Sequence, residues 1–158
     1  MIAIDLPGFG KTPPLAGEVS IATLADAVTE FLNRHNLIGV DMVGSSMGAR
    51  LVLELARRGV SGATLSLDPG GFWQGWERRF FATSIGLSIR LVRLLQPVMP
   101  LFTGNPVGRM ILFPQFSPRP WDLSPVVTLE EMRSYAASPS FDPLLHCWPT
   151  DPRRKALR

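Results

Sequence analysis

Val40-Asp41-Met42-Val43-Gly44-Ser45-Ser46-Met47-Gly48-Ala49-Arg50-Leu51-Val52-Leu53-Glu54-Leu55-Ala56-Arg57-Arg58-Gly59 is the stretch that decides the fold. It reads as a short buried strand, a Gly-x-Ser-x-Gly turn from Gly44 to Gly48, and an amphipathic helix ended by glycine. A sharp strand-to-helix turn of this kind lifts its central serine clear of the sheet in a strained backbone conformation. Gly44 and Gly48 are expected to be glycine for steric reasons, because a side chain two residues either side of the serine would strike a neighbouring strand or helix. Ser46 is the candidate nucleophile. The Met47 amide, in the first turn of the helix, is the candidate donor to a developing oxyanion. Chance alone supplies about 0.1 such patterns in a chain of this composition, so the flanking strand and helix carry the weight. The alternative is a glycine-rich turn with no chemistry.

Outward from the turn, Ala63-Thr64-Leu65-Ser66-Leu67-Asp68 reads as a strand broken by Pro69-Gly70-Gly71. Upstream, Ile2-Ala3-Ile4-Asp5-Leu6 reads as another buried strand, stopped by Pro7-Gly8-Phe9-Gly10. Ser20 is a good N-cap for a helix carrying Ile21, Leu24, Ala25, Val28, Phe31 and Leu32 at helical spacing, ended by Asn36 and Gly39. Strand, helix, strand, helix, strand is the pattern of a parallel sheet with crossover helices.

After Gly71 the composition changes. Residues 1 to 70 carry five basic and seven acidic side chains, whereas residues 71 to 158 carry eleven basic and six acidic ones and 11 of the 15 prolines. Short helices punctuated by proline are expected there. A long helix is predicted from about Gln74 to Leu95, with Arg79, Thr83, Gly86, Arg90 and Arg93 in one polar stripe and the rest of its surface apolar. That apolar surface would pack on neighbouring elements, line a channel for an apolar substrate, or meet a lipid surface. A second helix is expected from Thr128 as cap, with Thr-x-x-Glu resembling a capping box, followed by a turn from Pro139 to Leu145. The organisation expected is thus residues 1–71 as an α/β core, 72–147 as a helical cap, and 148–158, with four basic residues in the last six, as a disordered tail.

The sequence pI of about 9.7 comes from scattered basic residues with no nucleic-acid-binding signature, so no nucleic-acid partner is expected. Cys147, the single cysteine, forms no internal disulfide and lies in no Cys/His cluster, so no metal is expected. The longest apolar stretch, Phe80 to Phe102, is interrupted by Arg90, Arg93, Pro97 and Pro100, which argues against a transmembrane segment. No secretion signal precedes the first strand, and a cytoplasmic location is expected.

Taken together, these residues resemble the α/β-hydrolase fold superfamily. Asp5-Leu6-Pro7-Gly8-Phe9-Gly10-Lys11-Thr12 is similar to the turn after the superfamily's fourth strand, with Thr12 in place of a serine. Gly44 to Gly48 resembles the elbow after the fifth strand, and Leu67 to Gly71 the exit from the sixth, where a helical cap is inserted. The resemblance implies Ser46 as nucleophile and the Met47 amide as one oxyanion donor, with no cofactor. Serine at that position argues against the dehalogenase and epoxide-hydrolase branches, which use aspartate. It leaves esterases, lipases, haloperoxidase-like enzymes and carbon-carbon hydrolases open. By the same resemblance, the strand with the second oxyanion donor would precede the Asp5 segment and lie between the strands at 2–6 and 40–44. The strands with the usual acid and histidine would follow the cap. The chain therefore reads as the middle of a hydrolase, in which the two flanking strands either pair directly or leave a gap.

A serine hydroxyl needs a base, itself oriented by a third group. Asp68, at the end of a strand beside the elbow strand, is the best acid candidate present; its alternative role is to cap the turn before Pro69. His35 reads as a surface residue near a helix C-terminus. His146 is the other candidate base, and Asp5 reads as a turn-stabilising residue. The functional expectation is a serine hydrolase acting through an acyl-enzyme on a small ester or related carbonyl substrate with an apolar portion. The alternative is a non-catalytic remnant serving as an interaction or lipid-surface module.

Overall fold

Ser20 and Thr23 cap one another at the start of the first helix, α1 (Ile21–Arg34). The Thr23 amide donates to Ser20 Oγ at 3.2 Å, and the Ser20 amide donates to Thr23 Oγ1 at 2.9 Å, so two amides that a helix start leaves without partners are satisfied. The computed structural model describes residues 1–71, 75–114 and 116–147. In chain order, α1 is followed by β1 (Met42–Ser45), α2 (Met47–Arg57) and β2 (Thr64–Leu67). Five helices then follow: α3 (Gly75–Leu94), α4 (Met99–Gly104), α5 (Pro106–Leu112), α6 (Pro125–Ala137) and α7 (Phe141–Cys147). The architecture is mixed α/β, as expected.

β1 and β2 pair in parallel, with Met42 opposite Thr64 and Ser45 opposite Leu67, and α2 is their crossover. Asp41 fastens the N-terminal end of the pair: its carboxylate accepts the Ala63 amide at 2.8 Å, and the Met42 amide donates to the Ala63 carbonyl, also at 2.8 Å. On one face of the sheet, Gly44 is buried and Ser66 Oγ donates to the Ala49 carbonyl on α2. The other face is left exposed by the described residues. Val43, Leu65 and Leu67 alternate along it at 67%, 55% and 46% exposure.

The strand expected at residues 2–6 does not form. Residues 1–6 carry no ladder hydrogen bonds, and Ile2 and Ile4 are exposed at 65% and 41%. A five-residue apolar run becomes a strand only when a neighbour accepts its backbone groups, and β1 has β2 alone as a partner among the described residues. Of the two outcomes open to this segment, direct pairing with β1 is not the one seen. The turn that follows is ordered: the Phe9 amide donates to the Leu6 carbonyl at 2.9 Å and the Gly8 amide to the Thr12 carbonyl at 3.0 Å.

The described residues form two packed units, 1–82 with 139–147, and Thr83–Ser138. The divisions expected at 71/72 and 147/148 are drawn from composition, whereas these units are drawn from packing. In the first unit, Leu24, Ala25, Val28 and Leu32 of α1 meet Leu51 and Leu55 of α2 and Leu144 of α7 in a buried cluster. Each fully buried leucine contributes about 1.5–3 kcal/mol. In the second unit, Val92, Met99, Leu112, Phe113 and Met132 form a separate core.

Prolines set the helix starts in the second unit. Pro106 and Pro125 are the first residues of α5 and α6, where the missing amide costs nothing. This overturns Thr128 as a cap: Pro125 begins the helix three residues earlier, and the buried Thr128 hydroxyl donates back to the Ser124 carbonyl at 2.7 Å. Of the turn expected at 139–145, residues 139 and 140 form a turn, and from Phe141 the chain is α7, with the Leu144 amide bonded to the Ser140 carbonyl. The tail expected at 148–158 lies outside the described residues. Among the described residues no single helix is long and apolar enough to cross a membrane.

α1 and α2 are joined by a charge cluster. Arg58 donates to Glu54 and Asp26 and to the Ala22 carbonyl, and Arg57 grips Glu54 through two nitrogens at 2.8 and 2.9 Å. The Arg57 hydrogen bonds pull the Glu54 carboxyl down from 4.5 to about 2; burial opposes them and the Arg58 bond adds to them. A carboxyl whose folded value lies below its unfolded value stabilises the fold above the unfolded value, and loses that contribution as pH falls through the folded one. Stability from this group is therefore full above about pH 4.5. It declines as pH falls toward 2. Glu54→Gln should cost about 1–3 kcal/mol at neutral pH and flatten the acid limb of the stability curve, as read by urea titrations across pH.

Candidate active site

β1 ends where α2 begins, and residue 44 permits the approach. A methyl group on Gly44 would overlap the Gly48 carbonyl oxygen and stand 2.8 Å from the Ala49 nitrogen. Gly48 differs from the sequence expectation: a methyl there meets nothing within 4 Å. The crowding is one-sided, since the backbone of residue 48 presses on residue 44 while its own Cβ direction is open.

Ser46 sits between these glycines at φ 52° and ψ −113°, a conformation that residues with a side chain rarely adopt. Three backbone bonds hold it there. Its amide donates to the Leu67 carbonyl at 3.0 Å, and its carbonyl accepts the amides of Arg50 at 3.3 Å and Gly70 at 3.4 Å. The Ser46 side chain makes no capping bond to α2, and the residue is exposed. Met47 is the first residue of α2, among the amides that a helix start leaves without an internal acceptor. Such amides and the helix dipole favour an anion.

Asp68 follows β2 at φ 50°, between the Leu67 carbonyl and the Gly70 amide that clasp Ser46. Backbone geometry thus brings Asp68 and Ser46 to adjacent positions at the C-terminal ends of neighbouring strands. Neither histidine joins them. His35 caps the end of α1, exposed, with its ring 4.5 Å from that of Phe31. His146 lies exposed in the last turn of α7. Among the described residues, neither shares a hydrogen bond with Ser46 or Asp68.

Asp5 holds the turn after residue 6, its carboxylate accepting the Lys11 amide at 3.0 Å, and a methyl on Gly10 would overlap that carboxylate. Gly8, at φ 80°, is pressed against Ser140 just before α7, whose amide donates to the Gly8 carbonyl. No spacing rule links residue 8 to residue 140, and this contact was invisible in the sequence.

The alpha/beta hydrolase family model matches residues 1–157. A curated protein of Cupriavidus necator, the dihydrolipoyllysine-residue acetyltransferase component of an acetoin cleaving system, is 30% identical over 105 residues, covering 64% of this chain and 27% of that protein. The chain thus spans about a quarter of the length of that relative. No solved structure matches the chain. With a family model matched over nearly its whole length, and a Gly-x-Ser-x-Gly turn between a parallel strand and a helix, the chain belongs to the alpha/beta hydrolase family.

Proposed function

We propose that Ser46 is an acyl-accepting nucleophile and that the chain serves hydrolysis or transfer of an acyl group from an ester or related carbonyl substrate with an apolar portion. The observation that carries this reading is the backbone of Ser46: a non-glycine residue at positive φ, exposed, and immediately before the amides of α2. Strain of this kind costs about 1–3 kcal/mol and is maintained where it positions a functional group. In the proposed reaction Ser46 Oγ attacks the carbonyl carbon and its proton passes to a base. The Met47 amide donates to the resulting oxyanion. Collapse expels the protonated leaving group, and water or another acceptor then opens the acyl-enzyme.

Asp68 is the proposed acid, on its position beside Ser46 at the strand ends. The base is proposed to be a histidine, the side chain that most often takes such a proton; among the described residues neither His35 nor His146 is hydrogen-bonded to Ser46. The similarity to an acetyltransferase component supports acyl transfer as the class of chemistry.

A fluorophosphonate probe tests this directly, because it reacts with activated serines. The expected result is a covalent adduct on the intact chain, located at Ser46 by peptide mass and absent from Ser46→Ala, with ester hydrolysis falling by about 10³-fold or more in that variant. Equal labelling of both proteins, or labelling of neither, would overturn the nucleophile assignment for this chain.

A further inference from the structure

α3 has a face that nothing in the described structure covers. Trp76, Phe80, Leu87, Leu91 and Leu94 recur at intervals of four, seven, four and three residues, which keeps them in one narrow stripe of a helix. Each is exposed, from 46% at Leu91 to 76% at Leu94. Ile89 and Val92 are the buried residues of the same helix. Arg79 and Arg90, both exposed and eleven residues apart, fall nearly in line along one border of the stripe.

Charge decides what can cover it. From Trp76 to Trp121, 46 consecutive residues hold six arginines and one acidic residue, Glu77. Exposed apolar side chains continue through this region, with Leu101 at 75%, Val107 at 62% and Ile111 at 60%. α3 and the segment Gln96–Gly104 together have the length and apolar composition of a membrane segment, but they meet at a bend of 63°. A bent pair bordered by arginines suits the plane of a bilayer interface better than a path through its core, where each arginine is costly. A second copy packed on the stripe would bring four arginines of each α3, Arg78, Arg79, Arg90 and Arg93, together with Glu77 as the one acidic residue of that helix to answer them.

We propose that α3 lies in the headgroup region of an anionic lipid bilayer, with its apolar stripe among the acyl chains and Arg79 and Arg90 against lipid phosphates. Leucine and aromatic side chains on one face with arginines beside them are the composition of interfacial helices. Arginines near the surface add attraction that weakens as salt screens it. This surface does not involve Ser46, so it stands or falls separately from the nucleophile assignment.

Flotation of the intact chain with vesicles tests it, comparing phosphatidylcholine alone with an equal mixture of phosphatidylcholine and phosphatidylglycerol. Binding should be at least about tenfold tighter to the mixed vesicles and should weaken with added salt. The triple variant Leu87→Gln, Leu91→Gln, Leu94→Gln should lose about tenfold or more on the same vesicles. Arg79→Glu with Arg90→Glu, which alters only exposed side chains, should lose the preference for anionic lipid and decides the question if the triple variant misfolds. Ser46→Ala should bind as the parent does. The proposal is overturned if the parent does not float, if both variants bind like the parent, or if the stripe instead joins two copies of the chain into a dimer that the triple variant splits.

Discussion

Gly44→Ala should destabilise the protein by about 3 kcal/mol or more, while Gly48→Ala should leave it unchanged or raise its stability by about 0.5–1 kcal/mol. The three atoms nearest the added methyl at residue 44 are backbone, those of the Gly48 carbonyl and the Ala49 nitrogen, and no rotamer can turn it away. Relief requires α2 to move off β1, and with it Ala49, Leu51, Val52 and Leu55, all buried. At residue 48 the methyl enters open space on a helix, where alanine is the better helix former. Urea unfolding of the two variants beside the parent reads the difference, and probe labelling at Ser46 should disappear with Gly44→Ala before global unfolding is complete. Equal stability losses in both would show that the turn is crowded on both sides, against the geometry described.

Arg109→Met should cost about 3–5 kcal/mol in the second unit. Arg109 is 5% exposed, and its guanidinium donates to three main-chain carbonyls: Thr103 at 2.7 Å, Trp121 at 2.8 Å and Pro120 at 3.3 Å. It joins the end of α4 to the 3₁₀ turn at Pro120–Asp122, across a proline-rich stretch. Methionine fills much of the volume but leaves three carbonyls without their donor, and each unmet buried acceptor costs about 1–3 kcal/mol. Arg109→Lys should recover only part of the loss, because a single ammonium cannot match a planar fork spanning three acceptors. Amide exchange in α4 and α5 on the intact chain provides the reading; parent-like protection in Arg109→Met would refute the bracing role.

Much of the first unit was legible from local pattern. Ser20, the apolar spacing of α1, the two short strands around α2 and the glycine-bounded serine each rest on interactions between residues close in the chain. Such interactions leave a periodic trace. The strand expected at residues 2–6 does not form because a short apolar run is equally consistent with an extended segment, and pairing depends on a neighbour that local sequence does not report. Thr128 was misread as a cap because the Thr-x-x-Glu spacing competes with Pro125 for the helix start, and proline at the first position wins. The Arg109 brace and the Gly8 contact with Ser140 escaped notice because they join residues with no common period.

By itself, then, the sequence determined the order of elements, the place of the serine at a strand-to-helix turn and the proline-rich character of the second half. All of these follow from steric and hydrophobic preferences within a few residues. Tertiary structure alone decided which of the two elbow glycines is sterically required, that Leu67 and Gly70 clasp Ser46 beside Asp68, and that the described residues leave one face of the sheet exposed. It also decided that neither histidine is bonded at Ser46 among the described residues. The reason is physical: hydrogen bonds and close contacts between distant residues depend on how elements pack, and packing is settled by the whole chain rather than by any stretch of it.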